Sequence, residues 1–304
     1  MKKTLAILLS ALLCLSLFAA CGEEPAEESV APSEEPVAES EEPAAESEEP
    51  AEEPAEEISG NVALNGSTSM ESVILALIEG FAEVQPEVNP QYTGSGSGAG
   101  IEGVLGGTCD LGLASRALSD EEKAEGAVEN VIALDGVAVV INPENTVTDL
   151  TTEQIAKIFT GEITNWSEVG GPDGAIAVFG REAGSGTRGA FEEILGIEDA
   201  CAYTNEYSST GDVIGNVASN PNAIGYASLS AVNDTVTAVA VNGVVPSEET
   251  VADGSFAIQR PFVVVTVEGQ ELSPAAQAFL DYAMSDEVAD IITAAGAVPA
   301  SLAA

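Results

Sequence analysis

From residue 58 onward, short apolar runs alternate with segments whose apolar residues recur at helical spacing. Val62-Ala63-Leu64 reads as a strand, and Met70, Val73, Ile74, Leu77, Ile78 and Phe81 then repeat at the period of one helix face. Thr68 with Glu71 three residues on fits a capping box, which sets the helix start there. Pro86 and Pro90 close this unit. Gln91-Tyr92-Thr93 predicts a strand that leads into a glycine-rich turn, followed by a helix over about 97–105 and a strand over 110–114.

The alternation continues. Residues 131–134 and 136–141 read as strands, ended by Asn142-Pro143. Thr151-Thr152-Glu153-Gln154 opens a helix that stops at Gly161. Strands are expected over 175–179, 223–227, 236–241 and 262–267, and helices over 189–195, 213–218, 274–284 and 286–295. Ser273-Pro274 is in cap-then-proline order. Strands and helices in alternation predict an α/β body. Its roughly 245 residues suffice for two lobes.

The first 57 residues follow different rules. Lys2 and Lys3 precede an apolar run from Leu5 to Phe18 that is short for a membrane span, so 1–20 read as a secretory signal. Ala19-Ala20-Cys21 resembles a bacterial lipoprotein processing site, which makes Cys21 the expected acylated (palmitate-bearing) N-terminus and membrane anchor; Phe18 departs from the usual leucine. The other reading is an ordinary signal with an incidental cysteine. Residues 22–57 are almost wholly Glu, Pro, Ala and Ser, and Ser-Glu-Glu-Pro recurs at 33–36, 40–43 and 47–50. With little to bury, 21–57 is expected to be a disordered acidic tether.

Charge narrows the partners. Eight basic residues against 51 acidic give a formal net charge of −43. Nucleic acid and anionic headgroups need a basic surface, so neither is expected. The chain has no histidine, which removes Ser–His and Cys–His nucleophile pairs and the commonest metal ligand. No enzyme, metal or cofactor is expected. Of the four cysteines, Cys109 and Cys201 fall in the body and are expected to be free thiols.

Four body segments share one design, a strand followed by a Gly/Ser/Thr turn and usually a helix: 66–71, 94–100, 115–116 and 184–188. Such turns aim backbone N–H groups and a helix N-terminus at one point, which suits an anion. Arg181 can add a charge-assisted contact. Each turn alone also reads as an ordinary helix cap, and scattered arginines also serve to pair surface carboxylates. No Lys-Ser/Thr follows the glycines, so this is not a Walker-type loop.

These stretches resemble the phosphate-binding protein family of bacterial ABC phosphate importers. The matching pieces are Gly66-Ser67-Thr68-Ser69, Gly94-Ser95-Gly96-Ser97-Gly98-Ala99-Gly100, Ser115-Arg116, Arg181 through Arg188, and Ala223-Ile224-Gly225-Tyr226. Asp149-Leu150-Thr151 through Gly161-Glu162-Ile163-Thr164-Asn165-Trp166 matches as well, so the likeness spans nearly all of 60–300. It implies a two-lobed, type II periplasmic-binding-protein-like fold with two interlobe crossovers and a ligand cleft. Lobe one would comprise 58–140 plus 264–304, and lobe two 141–263, with crossings near 139–142 and 261–264. Inorganic phosphate would be the ligand, held by Ser67, Thr68, Ser69, Ser97, Arg181, Ser185, Gly186 and Thr187. Some members carry an aspartate where this chain has Arg116. Arg116 is counted among the expected phosphate-binding residues as well, with pairing to a nearby carboxylate as its other reading.

The expected partner is an ABC permease in the membrane, served by a monomeric protein anchored outside the cytoplasmic membrane. The alternatives are the same scaffold holding sulfate, molybdate or tungstate, and a sensor or adhesin lipoprotein that does not use the site.

Overall fold

The computed structural model describes residues 58–303. The signal expected at 1–20, the anchor expected at Cys21 and the tether expected to residue 57 lie outside the described residues. Among the described residues, no helix is long and apolar enough to cross a membrane.

Twelve strands follow in chain order: β1 (Gly60–Gly66), β2 (Val88–Gly94), β3 (Leu111–Ala114), β4 (Ala127–Ile141), β5 (Asp149–Leu150), β6 (Ala177–Arg181), β7 (Asn205–Tyr207), β8 (Ala223–Ser228), β9 (Thr237–Ala238), β10 (Ala240–Val241), β11 (Gln259–Val267) and β12 (Val298–Pro299). The helices are α1 (Glu71–Val84), α2 (Ser97–Leu105), α3 (Asp120–Ala124), α4 (Thr152–Phe159), α5 (Gly186–Leu195), α6 (Thr210–Ser219), α7 (Glu248–Ala252), α8 (Pro274–Met284) and α9 (Ala289–Ala294). One sheet runs in the order β2-β1-β3-β11-β4-β8-β6-β7, with β9 and β12 also paired to β4. The β1–β2 and β1–β3 pairs are parallel, as are β6–β8 and β6–β7, while β11 and β4 run antiparallel to their neighbours on this path.

β4 and β11 join the two halves. The first part of β4 pairs with β11, and Val137–Ile141 pairs with β8. Residues 131–134 and 136–141 are therefore one strand and not two. Asp135 interrupts the apolar run without ending the ladder, because its carboxylate has buried partners, described below.

Both faces of this sheet are covered, so its central strands read as continuous apolar runs. Phe262 and Val264 pack in a core with α1 and α8, while Val263 and Val265 face Ile101 and Val104 of α2 on the other side. The same two-residue period divides β4: Val137, Val139 and Ile141 join Phe159, Trp166 and Phe191, whereas Ala138 and Val140 join Val213 and Val217 of α6. Ile132 and Ala133 belong to the first half's core and Val137 to the second's; Ile258 belongs to the second and Phe262 to the first. The change of core falls at 134–136 and 259–261, a few residues before the expected crossings.

Pro90 does not close a unit but lies inside β2, which is tolerated because β2 is an edge strand. Cys109 and Cys201 are free thiols in separate cores.

Candidate functional site

Four helix N-termini meet between the halves. On one side a 3-10 turn, Thr68–Met70, leads into α1, and Gly96 precedes α2. On the other, Ser185 caps α5 and Ser209 caps α6. Each terminus presents backbone N–H groups that have no partner within their own helix, together with the positive end of a helix dipole.

The first half contributes a chain of hydroxyls. Ser67 Oγ accepts from Ser69 N at 3.2 Å and donates to Ser115 Oγ at 2.8 Å. Ser97 Oγ accepts from Ser115 N at 3.1 Å. The capping box expected at Thr68 and Glu71 is not formed: Ser67 is the cap, and Thr68 Oγ1 instead turns across the cleft, 3.3 Å from Thr210 Oγ1. Ser69 Oγ also crosses, lying 2.6 Å from Thr187 Oγ1 and 3.0 Å from Thr210 Oγ1. Backbone closes the same gap, with Gly98 N donating to Gly184 O at 3.0 Å.

Two glycines allow this close packing, Gly66 within the first half and Gly186 across the gap. Gly66 has φ +145°, and an added Cβ would sit 2.1 Å from Leu113 O. Gly186 has ordinary helical backbone, but a Cβ there would sit 2.3 Å from Ser97 Oγ and 2.9 Å from Ser115 Oγ. The second α5 residue thus reaches Ser69 only because the first has no side chain.

Arg181 ends β6 and is 1% exposed. Its Nη1 donates to Thr210 Oγ1 at 3.0 Å, its Nε to Tyr207 O at 3.1 Å and its Nη2 to Ser208 O at 2.8 Å. Behind it, the hydroxyl of buried Tyr226 accepts from Arg181 N at 3.0 Å, and Arg188 Nη1 donates to Arg181 O at 3.0 Å. Burial pulls the Arg181 pKa below the usual arginine value, and the charge of nearby Arg260 adds to that pull; a guanidinium nonetheless stays charged.

The other described cations have carboxylate partners. Arg116 pairs with Glu122, Lys123 with Glu129, Lys157 with Glu153, Arg188 with Glu192 and Glu206, and Arg260 with Asp135. Among the described residues, Arg181 has no carboxylate within ion-pair distance. A buried charge left without a counterion is costly in a low-dielectric interior. Arg181 therefore leaves a demand for negative charge at the meeting point of four helix N-termini.

The structure brings together Ser67, Thr68, Ser69, Ser97, Arg181, Gly186 and Thr187. Ser185 stands at the edge, its Oγ accepting from Arg188 N at 3.3 Å as a helix cap. Arg116 is not drawn in. Its guanidinium grips Glu122 at 2.7 and 2.8 Å and donates to Ala117 O, because α3 places that carboxylate within its reach. Thr210, Ser115 and Arg260 are in the cluster although sequence reasoning did not name them as ligands. Ser208-Ser209-Thr210-Gly211 repeats the Ser/Thr/Gly-before-helix pattern of the other turns, so Thr210 had a signal. Thr68 and Thr210 also line a cavity of about 500 Å³ shared with Glu71, Ser72, Ile214 and Ser230. No cluster of metal-type ligands occurs among the described residues.

Two lobes tied by a shared strand pair, with cation and hydroxyls converging between them, define a solute-binding protein of the periplasmic type. A family model for the PBP superfamily domain matches residues 44–287. The phosphate-binding protein PstS of Bacillus subtilis is 34% identical over 250 residues, covering 80% of this chain and 82% of the relative. A protein from Clostridium perfringens, assigned as a phosphate ABC transporter substrate-binding protein and solved with bound phosphate, shares 40% identity with a TM-score of 0.77, over 79% of this chain and 99% of its own. An ABC-type phosphate transport receptor from Vibrio cholerae shares 30% identity with a TM-score of 0.65, over 79% and 100%. The chain belongs to the PBP superfamily and, within it, to the phosphate-binding proteins of ABC phosphate importers.

Proposed function

We propose that this protein captures inorganic phosphate between its lobes and hands it to an ABC permease at the outer face of the cytoplasmic membrane. The observation that carries the reading is Arg181, buried and without a carboxylate partner among the described residues. A phosphate dianion would supply the missing charge. Its oxygens would replace the contacts that Ser69, Thr187 and Thr210 now make with one another. Helix N-termini favour the same ligand. Net charge of −43 is no obstacle, since a buried anion responds to nearby dipoles and donors more than to distant, screened surface charge.

In this reading Arg181, Ser67, Thr68, Ser69, Ser97, Gly186, Thr187 and Thr210 form the site, Ser185 supports it, and Arg116 is left out. The role is binding and delivery, not turnover. Cys21 would carry the lipid and 22–57 would hold a monomeric body off the membrane. Lobe one would take both chain ends of the body, and lobe two the segment between the crossings.

The test is the thermal stability of residues 58–304. Phosphate at 100 times its Kd should add about 2.7 kcal/mol, since only the folded state binds it. An equal gain with sulfate would replace phosphate by oxyanions in general, and no gain with any oxyanion would favour a sensor or adhesin. Mass spectrometry of the mature N-terminus should find acylated Cys21; an unmodified residue there would remove the anchor.

A further inference from the structure

Asp135 and Arg260 are register partners across the β4–β11 ladder, at the level where both strands pass from one core to the other. They are 1% and 3% exposed. Arg260 Nε and Nη2 both donate to Asp135 Oδ2, at 3.2 and 3.0 Å, and Asp135 Oδ1 accepts from Ser228 Oγ at 2.8 Å. Burial pushes the Asp135 carboxyl up and the Arg260 guanidinium down, and their mutual attraction opposes both shifts. A side chain needed only to neutralise a carboxylate would stop there. Arg260 also sends Nη1 forward, donating to Ser115 O at 2.7 Å and to Thr187 Oγ1 at 2.9 Å.

That second contact decides where the proton of Thr187 points. A hydroxyl has one proton and two lone pairs, whereas a guanidinium only donates. Arg260 therefore occupies a lone pair of Thr187 and leaves its proton free to point elsewhere. On that other side stands Ser69 Oγ, at 2.6 Å. Arg181 treats Thr210 in the same way, donating to an oxygen that is itself 3.0 Å from Ser69 Oγ. Two guanidiniums thus leave two threonine protons free to point across the cleft, that of Thr187 toward Ser69 and that of Thr210 toward Ser69 or Thr68.

We propose that Arg260 is a positioning residue of the phosphate site: anchored by Asp135 at the junction of the lobes, it fixes Thr187 as a hydroxyl donor aimed at the bound anion. The proposal rests on the phosphate reading above. It separates two roles. Arg181 brings uncompensated charge, while Arg260, already neutralised, brings direction.

The experiment is calorimetric phosphate titration of the full-length chain, unsubstituted and as three variants. These are Asp135→Asn/Arg260→Gln, Thr187→Val, and the triple combination. The double variant leaves no buried charge unpaired, so its melting temperature should stay within a few degrees. Its Kd and that of Thr187→Val should each rise about tenfold, the scale of one charge-assisted hydrogen bond. The triple variant should be less than about twofold weaker than Thr187→Val alone, because both changes act through one hydroxyl. A double variant that binds within twofold of the unsubstituted chain overturns the proposal. So does a triple variant that loses a further tenfold. Should the double variant fail to fold, Arg260→Lys keeps the charge but cannot span Asp135 and Thr187, and must show the same tenfold loss and the same non-additivity. Failure of the unsubstituted chain to bind phosphate is seen first, and overturns the functional reading together with this one.

Discussion

Ser69 Oγ stands 2.6 Å from Thr187 Oγ1, although the two residues are 118 positions apart and belong to helix N-termini on opposite sides of the cleft. Each is the other's nearest polar neighbour across the gap, so in the proposed phosphate reading the anion would replace this contact and take a hydrogen bond from each. Ser69→Ala should raise the phosphate Kd by roughly 5- to 30-fold, one hydrogen bond to a charged group. The melting temperature without phosphate should hardly move. Titration calorimetry and a thermal scan on the same sample check both halves.

Arg181 yields a prediction with two signs. Arg181→Met removes the only described cation that lacks a carboxylate partner. Phosphate binding should weaken by about 30-fold or more, in line with the cost of truncating a buried charged contact. The ligand-free protein should melt no lower, because an uncompensated buried charge has been replaced by an apolar chain of similar length. A large fall in melting temperature would show that Arg181 is chiefly a brace for Tyr207 and Ser208.

Gly66 and Gly186 should fail differently when given a methyl group. Gly66→Ala meets Leu113 O at 2.1 Å on a backbone of φ +145°, so folding itself should suffer, by about 1–3 kcal/mol or more. Gly186→Ala keeps a helical backbone but pushes Ser97 and Ser115 away. It should fold with near-normal stability and bind phosphate at least about tenfold more weakly, one misplaced contact being worth that much. Denaturant melts and calorimetry separate the two cases.

Arg116 should matter to acid stability and not to binding. Burial pushes Glu122 up, but the Arg116 guanidinium and the Ser119 contacts outweigh it and hold the carboxyl below its usual range. A carboxylate held low in the fold stabilises the protein above its unfolded pKa of about 4.3, and that stabilisation is lost as pH falls through the folded value. Arg116→Gln should lower stability at pH 7 by about 1 kcal/mol or less, for a partly exposed pair. The difference from the unsubstituted chain should shrink as pH falls below the unfolded value and vanish only beneath the lowered folded value, where Glu122 is protonated in both. The phosphate Kd at pH 7 should stay within about threefold; a tenfold loss would return Arg116 to the site.

Local signals in the chain were informative where the physics is local. The cap-then-proline pair at Ser273-Pro274 and the glycine turn before Ser97 set the starts of α8 and α2, because caps and turns are decided by neighbours in sequence. The Gly/Ser/Thr turns that the fold gathers at the cleft were readable for the same reason. Arg260 was not, since its meaning depends on Asp135, 125 residues away and opposite it only once β4 and β11 are in register. Thr68 misled in the other direction. Its spacing to Glu71 satisfied a local rule, but Thr210 on the far side of the cleft claimed its hydroxyl. Arg116 shows the same competition resolved nearby: Glu122, six residues on, holds it.

The strand pair that crosses both lobes also settles how this body must come apart. β4 supplies side chains to the cores on either side of residue 135, and β11 returns through the same level. One lobe is therefore built from two separated stretches of chain and the other from the stretch between them, and neither can lose its structure without stripping a ladder from the other. Unfolding is expected as one cooperative step, and limited proteolysis should release no stable single-lobe fragment. A ligand that touches only a few side chains at the centre would then protect the distant ends of the molecule as strongly as the cleft itself.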